Sequence, residues 1–377
     1  MARTQSRIGH SVRVICVNHA DTAGNDVTWD KLATTPTITD FDHSVEVIRC
    51  GRVASFARLE VCPRLLSILR QLNGNSTNSD NNIDVLHLHA PNPTMFLALC
   101  LSGLLSQKKI AVVIGHHSDI IKQKVLRIPF APFEEKVYAN AQAILVATPT
   151  YSTGSPLLKR HESRVHVVPY GIDLHPYLQP TAEVLKKAQE WKEWGSPLWL
   201  MVGRLIYYKA GHIALQALRD LPGKLIFIGT GPLLNEWQLL ADQYGVADRV
   251  LWLGNATPIE LIAAYHAATA FWFPSNARSE AFGLVQVEAM ASSCPVINTA
   301  IPGSGTDWVS LSGISGLTVP INDPVALAQS ARQILADPSL RQRLGQMGRK
   351  RAQTEFEQNI MAKRIADIYE EIKNETY

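Results

Sequence analysis

The stretch Arg278-Ser-Glu-Ala-Phe-Gly-Leu-Val-Gln-Val-Glu-Ala-Met290 carries two carboxylates, Glu280 and Glu288, on either side of a Phe-Gly turn. The apolar positions after the turn predict a helix over 284–291. Glu280 then lies just before its N-terminus and Glu288 about one and a half turns inside it, so that both face one pocket. First-turn amides and the positive end of the helix dipole favour an anion there, and carboxylates on either side can accept hydroxyl hydrogens. That is the chemistry of a diphosphate flanked by a sugar and a ribose. Two Glu at this spacing are more often solvated surface charges, so the reading turns on the surroundings.

The decisive neighbour is Val202-Gly-Arg-Leu-Ile-Tyr-Tyr-Lys-Ala-Gly211, which follows the apolar run Leu198 to Val202. That run has the length and bounds of a buried strand. Arg204 and Lys209, just past a strand end and Gly203, are placed to clamp a diphosphate, the guanidinium by bidentate contact and the ammonium as a point charge. An ordinary loop with solvated charges would read the same way in isolation. The two motifs support each other.

At 377 residues, 46% hydrophobic and 18% charged, the chain exceeds one comfortable core and predicts two domains of a soluble globular protein. The net charge of +3 is uneven: residues 1 to 170 hold 18 Lys and Arg against 13 Asp and Glu. This is too mild for a nucleic-acid groove but compatible with an anionic lipid surface or a phosphorylated acceptor. Cys16, Cys50, Cys62, Cys100 and Cys294 are scattered without a Cys-x-x-Cys pair, which predicts buried thiols in a reducing compartment. No apolar run is long enough to span a bilayer, and Met1 to Arg7 lacks a signal core. A cytoplasmic protein is expected.

Short β-rich runs alternate with helical patterns. In the first half they are Val12–Val17, Val45–Ile48, Val85–His89, Ile110–Ile114, Ala143–Val146 and Val165–Val168. In the second half they are Trp199–Val202, Leu225–Ile228, Val250–Leu253, Ala270–Phe273, Pro295–Asn298 and Leu317–Val319, with helices predicted at about 211–219, 232–244, 258–267, 284–291 and 324–336. The pattern predicts an α/β chain of two Rossmann-like, doubly wound parallel-sheet domains facing a cleft, over 1–175 and 176–355. Pro169 through Pro180 reads as the hinge, and Asn73 to Asn82 as a polar loop. Ligands of such sheets sit at the carboxyl ends of strands. The unusual residues cluster there: Gly203, Arg204 and Lys209, Gly229-Thr-Gly-Pro232, Gly254-Asn255, Ser275 with Glu280, Pro302-Gly-Ser-Gly305, His87-Leu-His-Ala-Pro-Asn92 and Gly115-His-His-Ser-Asp119.

On these residues the chain resembles the family-4 retaining glycosyltransferases of GT-B fold, over nearly its whole length. Gly203-Arg-Leu-x3-Lys209, the Gly229-x-Gly-Pro232 turn and the Glu280-x7-Glu288 pair occur in the family's order and spacing. His117-Ser-Asp-Ile120 and Ile301-Pro-Gly-Ser-Gly305 add a likeness to mannosyl- and rhamnosyl-type transferases of O-antigen or exopolysaccharide assembly. The resemblance implies that Arg204 and Lys209 bind the donor diphosphate, that Glu280 contacts the donor sugar, and that Glu288 binds the ribose. It adds a donor cradle of Gly203, Gly229, Gly231, Gly254, Ala281, Phe282, Gly283 and Leu284. It assigns His117 a place near the transferred sugar, with His89, Asn92 and Asp119 on the acceptor side. It further implies no metal or other cofactor, a nucleotide-sugar donor with GDP-mannose the first candidate, a saccharide or polyprenyl-diphosphate-linked acceptor, and no nucleic acid.

Structural uses compete with these roles. His87 and His89 share one face of a strand, where a hydrogen-bonding role is the commoner one. Asp119 is equally suited to cap a helix beginning near Ile120. The mixed basic and apolar segment Ile120 to Phe130 reads either as a packed helix with a solvated face or as a peripheral contact with anionic lipid at the inner face of the plasma membrane. The C-terminal stretch, with Ile360, Ile365, Ile368 and Ile372 at helical spacing, is expected by resemblance to pack back on the first domain over 356–377. The chain starts where the family normally has already completed a strand, a Gly-rich loop and a helix, so the first βα unit is expected to be missing. Two alternatives to a transferase therefore stand: a non-catalytic sugar-nucleotide-binding or scaffold homologue, and a GT-B nucleotide-sugar epimerase.

Overall fold

The computed structural model describes residues 1–56, 59–73, 83–107, 110–119 and 130–376. The polar residues 74–82, and residues 120–129 of the mixed basic and apolar segment, lie outside them. The chain divides into two compact units. One comprises Met1–Val146, Pro156–Val168 and Met361–Tyr377, the other Ala147–Ser155 and Pro169–Ile360.

The second unit is built on six parallel strands, in the spatial order Val250–Gly254, Lys224–Ile228, Leu198–Val202, Ala270–Phe273, Val296–Thr299 and Gly316–Val319. Helices cover both faces, so the central strands are apolar at every position rather than alternating. All five residues of Leu198–Val202 are buried. Leu198, Leu200 and Val202 enter one core with Phe271 and Phe273, while Trp199 and Met201 enter the other with Trp272. Trp199 and Trp272 stack at 5.0 Å between centroids. Sequential strands are added outward from Leu198–Val202 in one direction and then, from Ala270–Phe273, in the other. This reversal opens a crevice at the carboxyl ends of those two strands, where the loops 203–210 and 274–283 emerge.

The helices Gly211–Arg219, Pro258–Ala267, Leu284–Ala291 and Pro324–Ala336 have the predicted bounds, and Leu234–Gln243 is shorter than expected at both ends. The 18-residue helix Pro338–Glu355 was not foreseen. Its buried face is Leu344, Gly345, Gly348 and Ala352, which makes no apolar stripe of the usual kind.

In the first unit the expected single sheet is two. Val85–Ala90, Ala111–His116, Ala143–Val146 and Val165–Val167 form a four-stranded parallel sheet. Arg13–Val17 and Val45–Cys50 pair in parallel in a separate sheet, to which Ile38–Asp42 adds an antiparallel edge. The last helix, Gln358–Thr376, sends Met361, Ile365, Ile368 and Ile372 into a core with Ala111, Val113, Ala143, Leu145 and Val168. The segments 147–155 and 169–175, read from sequence as part of the first domain, group instead with the second unit. Arg278 accounts for part of this: its guanidinium lies over the Tyr151 ring at 4.4 Å, and its Nε donates to the Gly303 carbonyl at 2.7 Å. Among the described residues no helix is long and apolar enough to cross a membrane.

Candidate active site

The crevice of the second unit is shaped by tight backbone packing. Gly229 has φ of +130°, and a Cβ there would stand 2.1 Å from the Gly203 carbonyl oxygen, so the turns after Leu198–Val202 and Lys224–Ile228 touch only because no side chain intervenes. Gly231 and Gly254 belong to the neighbouring turns. Arg204, next to Gly203, is exposed. The chain then makes a short 3-10 turn, Tyr207–Lys209, before the helix Gly211–Arg219.

Lys209 turns inward. It is 8% exposed and Glu280 9%, and its Nζ lies 2.5 Å from Glu280 Oε2. Ser275 Oγ donates to the same carboxylate oxygen at 3.3 Å, and Ser304 Oγ donates to the Glu280 main-chain carbonyl at 2.5 Å. The ammonium also stands 4.9 Å from the centre of the Phe273 ring, close enough for a cation–π contact. Lys209 and Glu280, predicted as independent ligand contacts, are thus a buried ion pair. Burial and the Glu280 charge raise the Tyr208 phenol above its ordinary range.

The helix Leu284–Ala291 begins at Gly283, which has φ of +81° and no side chain to cap the first turn. A Cβ at Gly283 would stand 2.5 Å from Phe273 Cζ, so the left-handed turn and the close approach both require glycine. The first-turn amides have no acceptor within the helix, which leaves this end disposed toward an anion. Ala281 and Phe282 form the turn itself. Ala281 accepts at its carbonyl from the Gly305 amide at 3.1 Å, and Phe282 is buried.

Glu288 has different partners from Glu280. Its Oε2 accepts from the Tyr265 hydroxyl at 2.8 Å, and Tyr177 also hydrogen-bonds to it. Burial raises its carboxyl above the usual range, opposed by the two phenols. Tyr265 and Tyr177 were not foreseen as site residues; Tyr265 reads as an ordinary apolar position of its helix and Tyr177 as part of a Pro-bearing connector.

In the first unit the predicted acceptor-side residues sit at the carboxyl ends of Val85–Ala90 and Ala111–His116. The rings of His87 and His89 stack at 4.8 Å, and those of His89 and His117 at 5.1 Å. His89 Nδ1 and His117 Nε2 are hydrogen-bonded at 2.8 Å, and His87 Nδ1 meets the Tyr369 hydroxyl at 2.6 Å. Burial, reinforced by the neighbouring imidazoles, pushes His87 down to about 3 and His117 to about 4. Burial also lowers His89, which keeps part of its ring open to solvent. The stack is therefore neutral at neutral pH.

His116 points to the other side of the strand. There it is buried, bonded to Tyr138 at 2.7 Å and lying 3.4 Å from Asp119 Oδ1. Asp119 thus has His116 as a partner, and the helix start near Ile120 lies outside the described residues. The Asn92 side chain caps the helix Pro93–Ser102, accepting from the Met95 amide at 3.0 Å. Among the described residues, no group of three or more His, Cys, Asp or Glu is placed to hold a metal ion.

A six-stranded sheet with this strand reversal, an uncapped helix end and a cation beside it at the switch point defines a nucleotide-binding α/β enzyme of the GT-B class. Residues 1–175 match the family described as Glycosyltransferase Family 4, and residues 185–351 the family described as Glycosyl transferases group 1. The chain is 32% identical over 263 residues to the D-rhamnosyltransferase WbpZ of Pseudomonas aeruginosa, covering 70% of this chain and 67% of that one. It is 29% identical over 290 residues to the O-antigen chain mannosyltransferase C of Escherichia coli, covering 77% and 74%. Among solved structures, the sucrose-phosphate synthase of Thermosynechococcus elongatus aligns over 98% of this chain and 91% of its own, with a TM-score of 0.76 at 22% identity. The chain belongs to the family-4 glycosyltransferases and is a glycosyltransferase of GT-B fold.

Proposed function

We propose that this protein is a retaining, metal-independent hexosyltransferase that moves a mannose-like sugar from a nucleotide-sugar donor, GDP-mannose first among candidates, to a saccharide or polyprenyl-diphosphate-linked acceptor. The setting is cell-surface polysaccharide assembly in the cytoplasm, with peripheral contact at the inner face of the plasma membrane. The observation that carries the reading is the grouping of Lys209, Glu280 and the uncapped Leu284–Ala291 helix end at the sheet's switch point. The matches to a rhamnosyltransferase and an O-antigen mannosyltransferase support the hexose class and the pathway.

In this reading Arg204, Lys209 and the amides from Ala281 to Leu284 bind the diphosphate, Glu280 accepts from hydroxyls of the donor sugar, and Glu288 accepts from the ribose. The acceptor hydroxyl oxygen bonds to the anomeric carbon as that carbon's bond to the diphosphate oxygen breaks. The hydroxyl proton passes to an oxygen of the leaving diphosphate, on the same face of the sugar. The protein's part is positioning and stabilisation of the charge that builds on the departing nucleotide. The neutral His117 serves as a hydrogen-bonding group on the acceptor side, held by His89. Incubation with GDP-mannose and a lipid-linked saccharide, with the anomeric configuration of the product read by NMR, tests the proposal. Inverted product would overturn retention, and absence of transfer from every nucleotide sugar offered would overturn the enzyme.

A further inference from the structure

A carboxylate held 2.5 Å from the ammonium expected to grip a diphosphate presents an electrostatic problem. Both side chains are about nine-tenths buried, in a place where charges are weakly screened. Glu280 cancels much of the attraction that Lys209 would otherwise exert on an anion. Its position is no accident of a mobile side chain, because Ser275 holds the carboxylate and Ser304 holds the backbone carbonyl of the same residue. A glutamine would accept sugar hydroxyls through its carbonyl without opposing the anion. The negative charge itself therefore calls for a use.

We propose that Glu280, paired with Lys209, makes the donor pocket discriminate against the free nucleoside diphosphate and in favour of the sugar-bearing one, so that the spent nucleotide leaves readily. The proposal rests on the donor-site reading above and deepens it. A free diphosphate ends in a phosphate that is largely dianionic at neutral pH, whereas in the donor that phosphate is an ester with a single charge. The extra charge of the product falls beside the Glu280 carboxylate and is repelled. The donor brings instead sugar hydroxyls that donate to that carboxylate. The same side chain thus attracts one ligand through a group that the other lacks, and repels the other through a charge that the first lacks.

The test is direct binding of GDP and GDP-mannose, with UDP and UDP-glucose in parallel, to the wild type and to Glu280→Gln, Lys209→Met and Arg204→Ala, after each variant's melting midpoint has been compared with wild type. In Glu280→Gln the free diphosphate is expected to bind about tenfold tighter while the nucleotide sugar binds more weakly. Lys209→Met and Arg204→Ala should weaken both. A second measurement needs no variant: the β-methyl ester of the same nucleoside diphosphate, which has the donor's charge and no sugar, should bind the wild type more tightly than the diphosphate itself. A diphosphate that binds Glu280→Gln no tighter than wild type, or an ester that binds wild type no tighter than the diphosphate, overturns the proposal. If both outcomes occur while Arg204→Ala still weakens nucleotide binding, the donor site survives and only this inference falls. If no nucleotide binds the wild type, both fall.

Discussion

Two groups of ionisable side chains stand at the carboxyl ends of parallel strands in this chain, one in each unit, and they are handled in opposite ways. In the second unit Lys209 and Glu280 are buried as an ion pair, supported by a hydroxyl and an aromatic ring. In the first unit His87, His89 and His117 are stacked ring on ring and kept neutral. A buried charge is tolerated where an opposite charge meets it; three adjacent imidazoles with no carboxylate in the stack avoid the cost by giving up their protons. The difference matches the ligands proposed for each: a diphosphate needs charges, while an acceptor hydroxyl needs an oriented neutral partner.

The comparison breaks most visibly at Lys209. Lys209→Met removes the ammonium from beside the leaving group and strands a buried carboxylate, so the transfer rate is expected to fall by about 10²–10³-fold; a loss of less than tenfold in single-turnover assays would detach Lys209 from the chemistry. His117→Ala comes next. Removing a positioned hydrogen-bonding group should lower kcat by about 10²-fold, with the dissociation constant of the nucleotide unchanged, and a shift in that constant would move His117 to the donor side. Arg204 is exposed and more fully screened, so Arg204→Ala should raise the nucleotide dissociation constant by about tenfold, as read by titration calorimetry.

The smallest effect concerns pH. His87 at about 3 and His117 at about 4 lie below the ordinary histidine value of about 6.5. The unfolded chain therefore takes up protons before the native one does, and stability that is complete above about pH 6.5 is lost progressively as pH falls toward about 4. The melting midpoint should decline over that window, and His87→Asn should flatten the decline. An identical slope in the variant would remove the stack as its source.

Much of the second unit was legible in the residues. Gly211–Arg219, Pro258–Ala267 and Leu284–Ala291 begin and end where apolar spacing and turn residues say they do, because helix periodicity and capping act within a few residues along the chain. Pro338–Glu355 escaped that reading, since two of its buried positions are glycines and the stripe they make is invisible to hydropathy. The division of the first unit into two sheets also escaped it, because the strand pattern says which segments are extended and not which edges pair.

The candidate site divides in the same way. Which side chains carry chemistry at strand and helix ends (Arg204, Lys209, Glu280, Glu288, His117) follows from motif and position along the chain. Whom they meet does not. The pairing of Lys209 with Glu280, of Glu288 with Tyr265 and Tyr177, and of His87 with Tyr369 joins residues from separate elements. Those contacts depend on the order in which strands assemble and on where the last helix docks, and a local pattern of hydrophobic and polar residues holds no record of either.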